Sequence, residues 1–187
     1  MYGGCDFGFS DFNGIVTIAT NKAQKRSYVI YEDKFNKASI SEIVTRIQKM
    51  MEYCKQFMMK RNPNYNLSRY TIYCDTNEQS ISYELFNTYH INARNAYKSD
   101  KMMAIAQLAE ELRTGRILTP KDGYIADEIA KTVYKRDPAT DDILPELDDV
   151  FHPDIMDALL YASRQYFYDI GYDLGGEAAT NWNTTNK

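Results

Sequence analysis

Three aspartates stand where apolar segments stop: Asp6 in YGGCDFGFSD, Asp75 in YTIYCDTNE and Asp157 in HPDIMDALLYA. A carboxylate placed against a core is costly unless a cation or a partner compensates it. Asp6 and Asp75 fall at the ends of expected strands, and Asp157 opens an expected helix. Ligands of α/β sheets gather at the carboxyl ends of strands, so three acids from distant parts of one chain point to a site for divalent metal. Each also has a purely structural reading: Asp6 as the start of a turn, Asp75 as a helix cap, Asp157 as a helix-dipole partner. Asp154 lies three residues before Asp157 on the same helix face, with Tyr161 one turn on. It is either a fourth ligand or a charge complementing the helix dipole. Glu78 is either a supporting partner of Asp75 or a favourable first-turn charge. His152, just before Pro153, either caps the helix or orients a water or phosphate. Two Mg²⁺ or Mn²⁺ ions roughly 4 Å apart require several oxygen ligands, and three or four carboxylates meeting at one point supply them. Without metal, their mutual repulsion raises some of their pKa values.

These residues need a scaffold. Residues 2–9 and 14–20 are β-rich and punctuated by glycine, and 26–34 make a third strand. From Ser39 the period changes: Ile40, Ile43, Val44, Ile47, Met50, Met51, Cys54 and Met58 trace one helical face that ends at Asn62-Pro63-Asn64. A buried strand is expected at 69–75, a helix at 78–88 after Asn77, and a short strand at 90–95. Ser99 leads an amphipathic helix stopped by Gly115. A short extended piece follows at 116–119, then a helix at 123–133. The acidic stretch 135–151, with Pro138 and Pro145, reads as a mobile loop. Pro153 fits the first turn of a helix to about Tyr168, and 169–187 reads as a poorly ordered tail after one domain over 1–168. The order implies an α/β fold with a mixed sheet, an antiparallel three-strand meander followed by parallel strands joined through helices.

Composition sets outer bounds. The chain has 187 residues, 44% hydrophobic and 26% charged, which suits one globular domain. No apolar run reaches the roughly 20 residues of a membrane span. Cys5, Cys54 and Cys74 have no metal-ligand spacing and read as buried thiols. The net charge of −4 gives no strong grip on nucleic acid, and eleven acids face four bases between Lys121 and Asp157. Lys98, Lys101, Arg113, Arg116 and Lys121 form a locally basic stretch, either a track for a phosphate backbone or a solvated helix face.

In order from about Gly3 to Tyr166, these segments resemble the C-terminal nuclease domain of the large terminase subunit of tailed bacteriophages. GCDFGFSDFNGIVTIA resembles the first strand and turn, with Asp6 as the first metal-binding acid. YTIYCDTNEQSISYEL resembles the second acidic motif and places Asp75. YKSDKMMAIAQLAEELRTGRILTP resembles the helix and strand that follow. FHPDIMDALLYASRQY resembles the closing signature, whose acid before Ala-Leu is Asp157. Many relatives carry a His where this chain has Asp154, and here the His lies two positions earlier, at His152. Asp11 falls at a recurrent turn position and is a weaker candidate for the site.

The resemblance implies an RNase H-like fold and an endonuclease that cuts concatemeric viral double-stranded DNA by two-metal hydrolysis with Mg²⁺ or Mn²⁺. It implies as partners an ATPase domain of the same terminase, the small terminase subunit and the portal or procapsid, in the cytoplasm of an infected bacterial host. No GxxxxGK[ST] phosphate loop is found, so the sequence reads as an excised domain without the ATPase half. Two other readings compete. DFGFS also matches the phosphate turn of an actin-like or sugar-kinase ATPase, which needs a second domain for which 187 residues leave no room. The remaining alternative is a catalytically silent RNase H-like module that docks or guides DNA.

Overall fold

The computed structural model describes residues 1–7, 12–66, 70–75, 79–97, 100–148 and 152–169. Strands β1 (Tyr2–Asp6), β2 (Asn13–Asn21) and β3 (Arg26–Phe35) form the antiparallel meander. Helix α1 (Ile40–Met59) leads to β4 (Ile72–Cys74), and α2 (Gln79–Asn87) to β5 (Ala93–Asn95). Helix α3 (Lys101–Arg113) precedes β6 (Ile117–Leu118), followed by α4 (Tyr124–Lys131). Six strands build one sheet in the order β5-β4-β1-β2-β3-β6, in which β4 and β5 run parallel to β1, and β6 parallel to β3. Strand β1 therefore sits at the seam between the antiparallel and parallel halves.

Strand alternation divides the core in two. In β2, Ile15 faces α1, whereas Val16 and Ile18 face the opposite layer. The buried face of α1 (Ile43, Val44, Ile47, Met50, Cys54) packs on the first side with Ile81 and Leu85 of α2. Its start is fixed by a capping box: the Ser39 hydroxyl accepts from the Glu42 N–H, and the Glu42 carboxylate accepts from the Ser39 N–H at 2.7 Å. Such a cap stabilises a helix by about 1 kcal/mol. The second side is covered by α3, α4 and α5 (Asp154–Asp169). All three cysteines are free and buried.

Two glycines let α5 lie directly on the sheet backbone. A Cβ at Gly4 would fall 1.9 Å from the Ala158 carbonyl oxygen, and one at Gly14 would fall 2.5 Å from that of Asp154. Close approach of a helix to a strand requires glycine at both places.

The stretch expected as a mobile loop at 135–151 is instead a hairpin. Strands β7 (Tyr134–Arg136) and β8 (Ile143–Leu147) pair antiparallel, apart from the main sheet. Asp137 explains the turn: its Oδ1 accepts the N–H of Ala139 at 2.7 Å and of Thr140 at 3.3 Å. A local turn of that kind outweighs the Pro and acid content that argues for a loop. Residues 149–151, the tail from 170, and Asn77 and Ser99 as helix starts lie outside the described residues. Among the described residues, no helix is long and apolar enough to cross a membrane.

Candidate functional site

Strand parity aims two of the three aspartates at the same helix. Gly4 faces α5, so Asp6, two residues on, faces it too. Cys5 pairs with Cys74 in the parallel ladder. Both cysteines point to the α1 core, which turns the next residues, Asp6 and Asp75, toward α5 from adjacent strand ends. Asp157 comes down from α5, and the Tyr161 hydroxyl one turn later donates to Asp75 Oδ2 at 3.4 Å. Asp6 feels the charges of all the other acids. Burial and the charges of Asp157, Asp75 and Asp154, in that order, push its pKa up to about 7, and Lys101 opposes them. Burial, then the charges of Asp6, Asp157 and Asp75, holds the Tyr161 hydroxyl far above its ordinary range, so it remains a neutral donor.

Two lysines lean into the cluster from the other elements. Lys101, the first residue of α3, places its ammonium 2.8 Å from Asp157 Oδ2. Lys34 of β3 pairs with Asp154 at 3.1 Å and with Glu128 of α4. Glu128 is buried, and its Oε2 accepts the N–H groups of Ile155 at 3.0 Å and Met156 at 2.9 Å. It therefore caps the very helix that carries Asp154 and Asp157. Replacing Glu128 by Ala should lower stability by about 2–3 kcal/mol, since two helix N–H groups lose their acceptor and a half-buried ammonium loses a partner. Urea unfolding would measure this, and Glu128→Gln should recover part of the loss through its amide oxygen. The Lys34–Glu128 link spans 94 residues and has no local sequence signature.

The fold thus brings Asp6, Asp75, Asp157 and Asp154 together, with Asp154 drawn toward Lys34. His152 is exposed before α5. Glu78, Asp11 and Lys98 lie outside the described residues. Arg113 pairs with Glu110 and Arg116 with the buried Glu111, whereas Lys121 is exposed. Among the described residues, no three acids, cysteines or histidines stand close enough as placed to hold one metal ion. The donor set nevertheless fits a hard divalent cation in its chemistry. It consists of carboxylates only; burial first, and then the charges of its neighbours, raise the pKa of Asp6 to about 7, and a divalent cation offsets both.

No protein-family model matches the chain. No curated protein matches it either. Solved structures do. The large terminase nuclease domain of bacteriophage SPP1, with bound Mn, aligns at a TM-score of 0.64 and 22% identity over 88% of this chain and 85% of that one. The large terminase nuclease domain of Thermus phage P74-26 aligns at 0.65 and 21% identity over 92% and 82%. The large terminase of the thermophilic bacteriophage D6E, in complex with ATP-gamma-S, aligns at 0.61 and 18% identity over 86% of this chain and only 38% of that one. The mixed six-stranded sheet with its flanking helices is the RNase H-like fold of large terminase nuclease domains.

Proposed function

We propose that the chain is a Mg²⁺- or Mn²⁺-dependent endonuclease acting on double-stranded DNA during viral genome packaging. The observation that carries this reading is the convergence of Asp6 and Asp75, from adjacent parallel strand ends, with Asp157 of α5. The likeness to nuclease domains, one of them with bound Mn, supports it. Asp6, Asp75 and Asp157 would hold the cations, with Asp154 as a fourth acid that keeps its Lys34 partner. When bound, a pair of such cations supplies an activated water and charge stabilisation for the leaving oxygen of a phosphodiester.

The chain's own groups do the rest. The two strand ends fix Asp6 and Asp75 on rigid elements, so the donors keep their spacing. Tyr161 orients the Asp75 carboxylate through its hydroxyl. Lys101, half exposed beside Asp157, is placed to meet a phosphate, with Lys121 as an outer contact. Arg113 and Arg116 already have carboxylate partners, which favours a structural role for them. The likeness to a whole large terminase of which this chain spans 38% supports a role beside an ATPase domain, in a motor that brings DNA to the site. The small terminase subunit and the portal are further partners on this reading.

Supercoiled plasmid incubated with the purified chain and millimolar Mn²⁺ should be nicked and linearised with little sequence preference, and EDTA should stop the reaction. Intact plasmid at every Mn²⁺ and Mg²⁺ concentration would overturn the assignment in favour of a silent docking module.

A further inference from the structure

Two Lys–Asp pairs flank the carboxylate cluster, and they differ in kind. The Lys34–Asp154 pair is enclosed: its side chains are 15% and 11% exposed, and Glu128 holds the same ammonium. The Lys101–Asp157 pair is open on the lysine side, with Lys101 49% and Asp157 18% exposed. Lys101 also occupies the first turn of α3, where the helix dipole disfavours a cation. The residue before it, Asp100, adopts a left-handed φ of 51° and makes no side-chain cap. The first turn of α3 therefore gives Lys101 little local reason for its position, and Asp157 supplies one. With Lys101 on Asp157, no described trio of side chains is set to chelate an ion.

We propose that Lys101 is a resident counter-ion of Asp157: it occupies the carboxylate in the metal-free protein and is displaced when a divalent cation binds. This rests on the metal site proposed above. A long side chain with half its surface in water can swing out at little cost, which leaves Asp157 free to turn toward Asp6 and Asp75. Lys34, tied to two carboxylates, stays. The cluster thus has one permanent lysine and one exchangeable lysine, and the exchangeable one is the more exposed of the two.

The test is Mn²⁺ affinity in the absence of DNA, read from the electron paramagnetic resonance signal of free Mn²⁺. Lys101→Met should bind Mn²⁺ tighter by about fivefold, the factor that corresponds to a partly exposed ion pair, while Lys101→Arg should stay near the wild type. In an Asp157→Asn background the Lys101→Met gain should vanish, because the competitor has lost its target. An unchanged or weaker affinity for Lys101→Met would overturn the proposal. So would an equal gain in the Asp157→Asn background, which would reduce Lys101 to a distant repulsive charge. If no variant binds Mn²⁺, the metal site itself fails. If the wild type binds and Lys101→Met matches it, only the counter-ion role fails.

Discussion

Replacing Asp6 by Asn should abolish Mn²⁺-dependent DNA cleavage and at the same time make the metal-free protein more stable. The two effects share one cause. Burial and the charges of Asp157, Asp75 and Asp154 raise the pKa of Asp6 from 3.8 to about 7. The sign follows from linkage: a carboxyl whose folded pKa is raised contributes its full stability below pH 3.8 and loses it as pH rises through about 7. Above pH 7 the ionised Asp6 costs the fold on the order of 2–4 kcal/mol. Asn never ionises, so Asp6→Asn and wild type should melt alike near pH 4. They should diverge with rising pH until the variant melts about 5–10 °C higher at pH 8 in EDTA. Saturating Mn²⁺ should raise the melting temperature of the wild type more than that of the variant, since metal binding is linked to the folded state. Cleavage should fall by about three orders of magnitude, a loss of several kcal/mol of transition-state stabilisation. A variant that melts below wild type at pH 8 would mean that Asp6 is not under repulsion, and a variant that still cuts would remove it from the site.

The other large effect is at Gly4. An added methyl would lie 1.9 Å from the Ala158 carbonyl oxygen and 2.8 Å from the Ala162 nitrogen. Both are helix backbone, so no side chain can swing aside, and α5 must lift from β1. Gly4→Ala should therefore lose about 3–5 kcal/mol, at the upper end for overpacking, read from urea unfolding. Whatever fraction folds should cut DNA about a hundredfold more slowly, because a shift of about an ångström in Asp157 relative to Asp6 spoils the geometry. Gly115 offers a control. A methyl there meets only a Leu118 side-chain carbon at 3.9 Å, and its cost comes from the positive φ of 68° alone, about 1–2 kcal/mol. Equal stability losses at the two positions would show that contact between α5 and the sheet backbone does not limit this packing.

Periodicity made most of the scaffold legible. The α1 stripe, the apolar run ending at Cys74 and the α5 stripe each carry a local signal, and the structure places them within a few residues of the expected bounds. Asp6 and Asp75 were readable as strand-end residues for the same reason. The hairpin at Tyr134–Leu147 was not, since its turn depends on how one carboxylate, Asp137, folds back on the chain. The lysines illustrate a second limit. Lys101 reads as one of several basic residues, and only the tertiary fold reveals Asp157, 56 positions away, as its partner. Lys34 and Glu128 carry no local signal, because a polar residue on a strand and an acid on an exposed-looking helix are ordinary until the layers stack.

Helix α5 comes after every strand of the main sheet in the chain, yet it packs on the first of them, β1. During synthesis a ribosome would complete the whole sheet while one face, with Val16, Ile18 and Val29, still lacked its α5 cover. Through that interval Asp6 and Asp75 would stand without Asp157. A growing chain would thus hold only part of its acid set until α5 (Asp154–Asp169) emerges, so any cutting activity would wait for that helix. The same delay leaves an apolar sheet face in need of protection, and the closing of that face and the completion of the site become a single event.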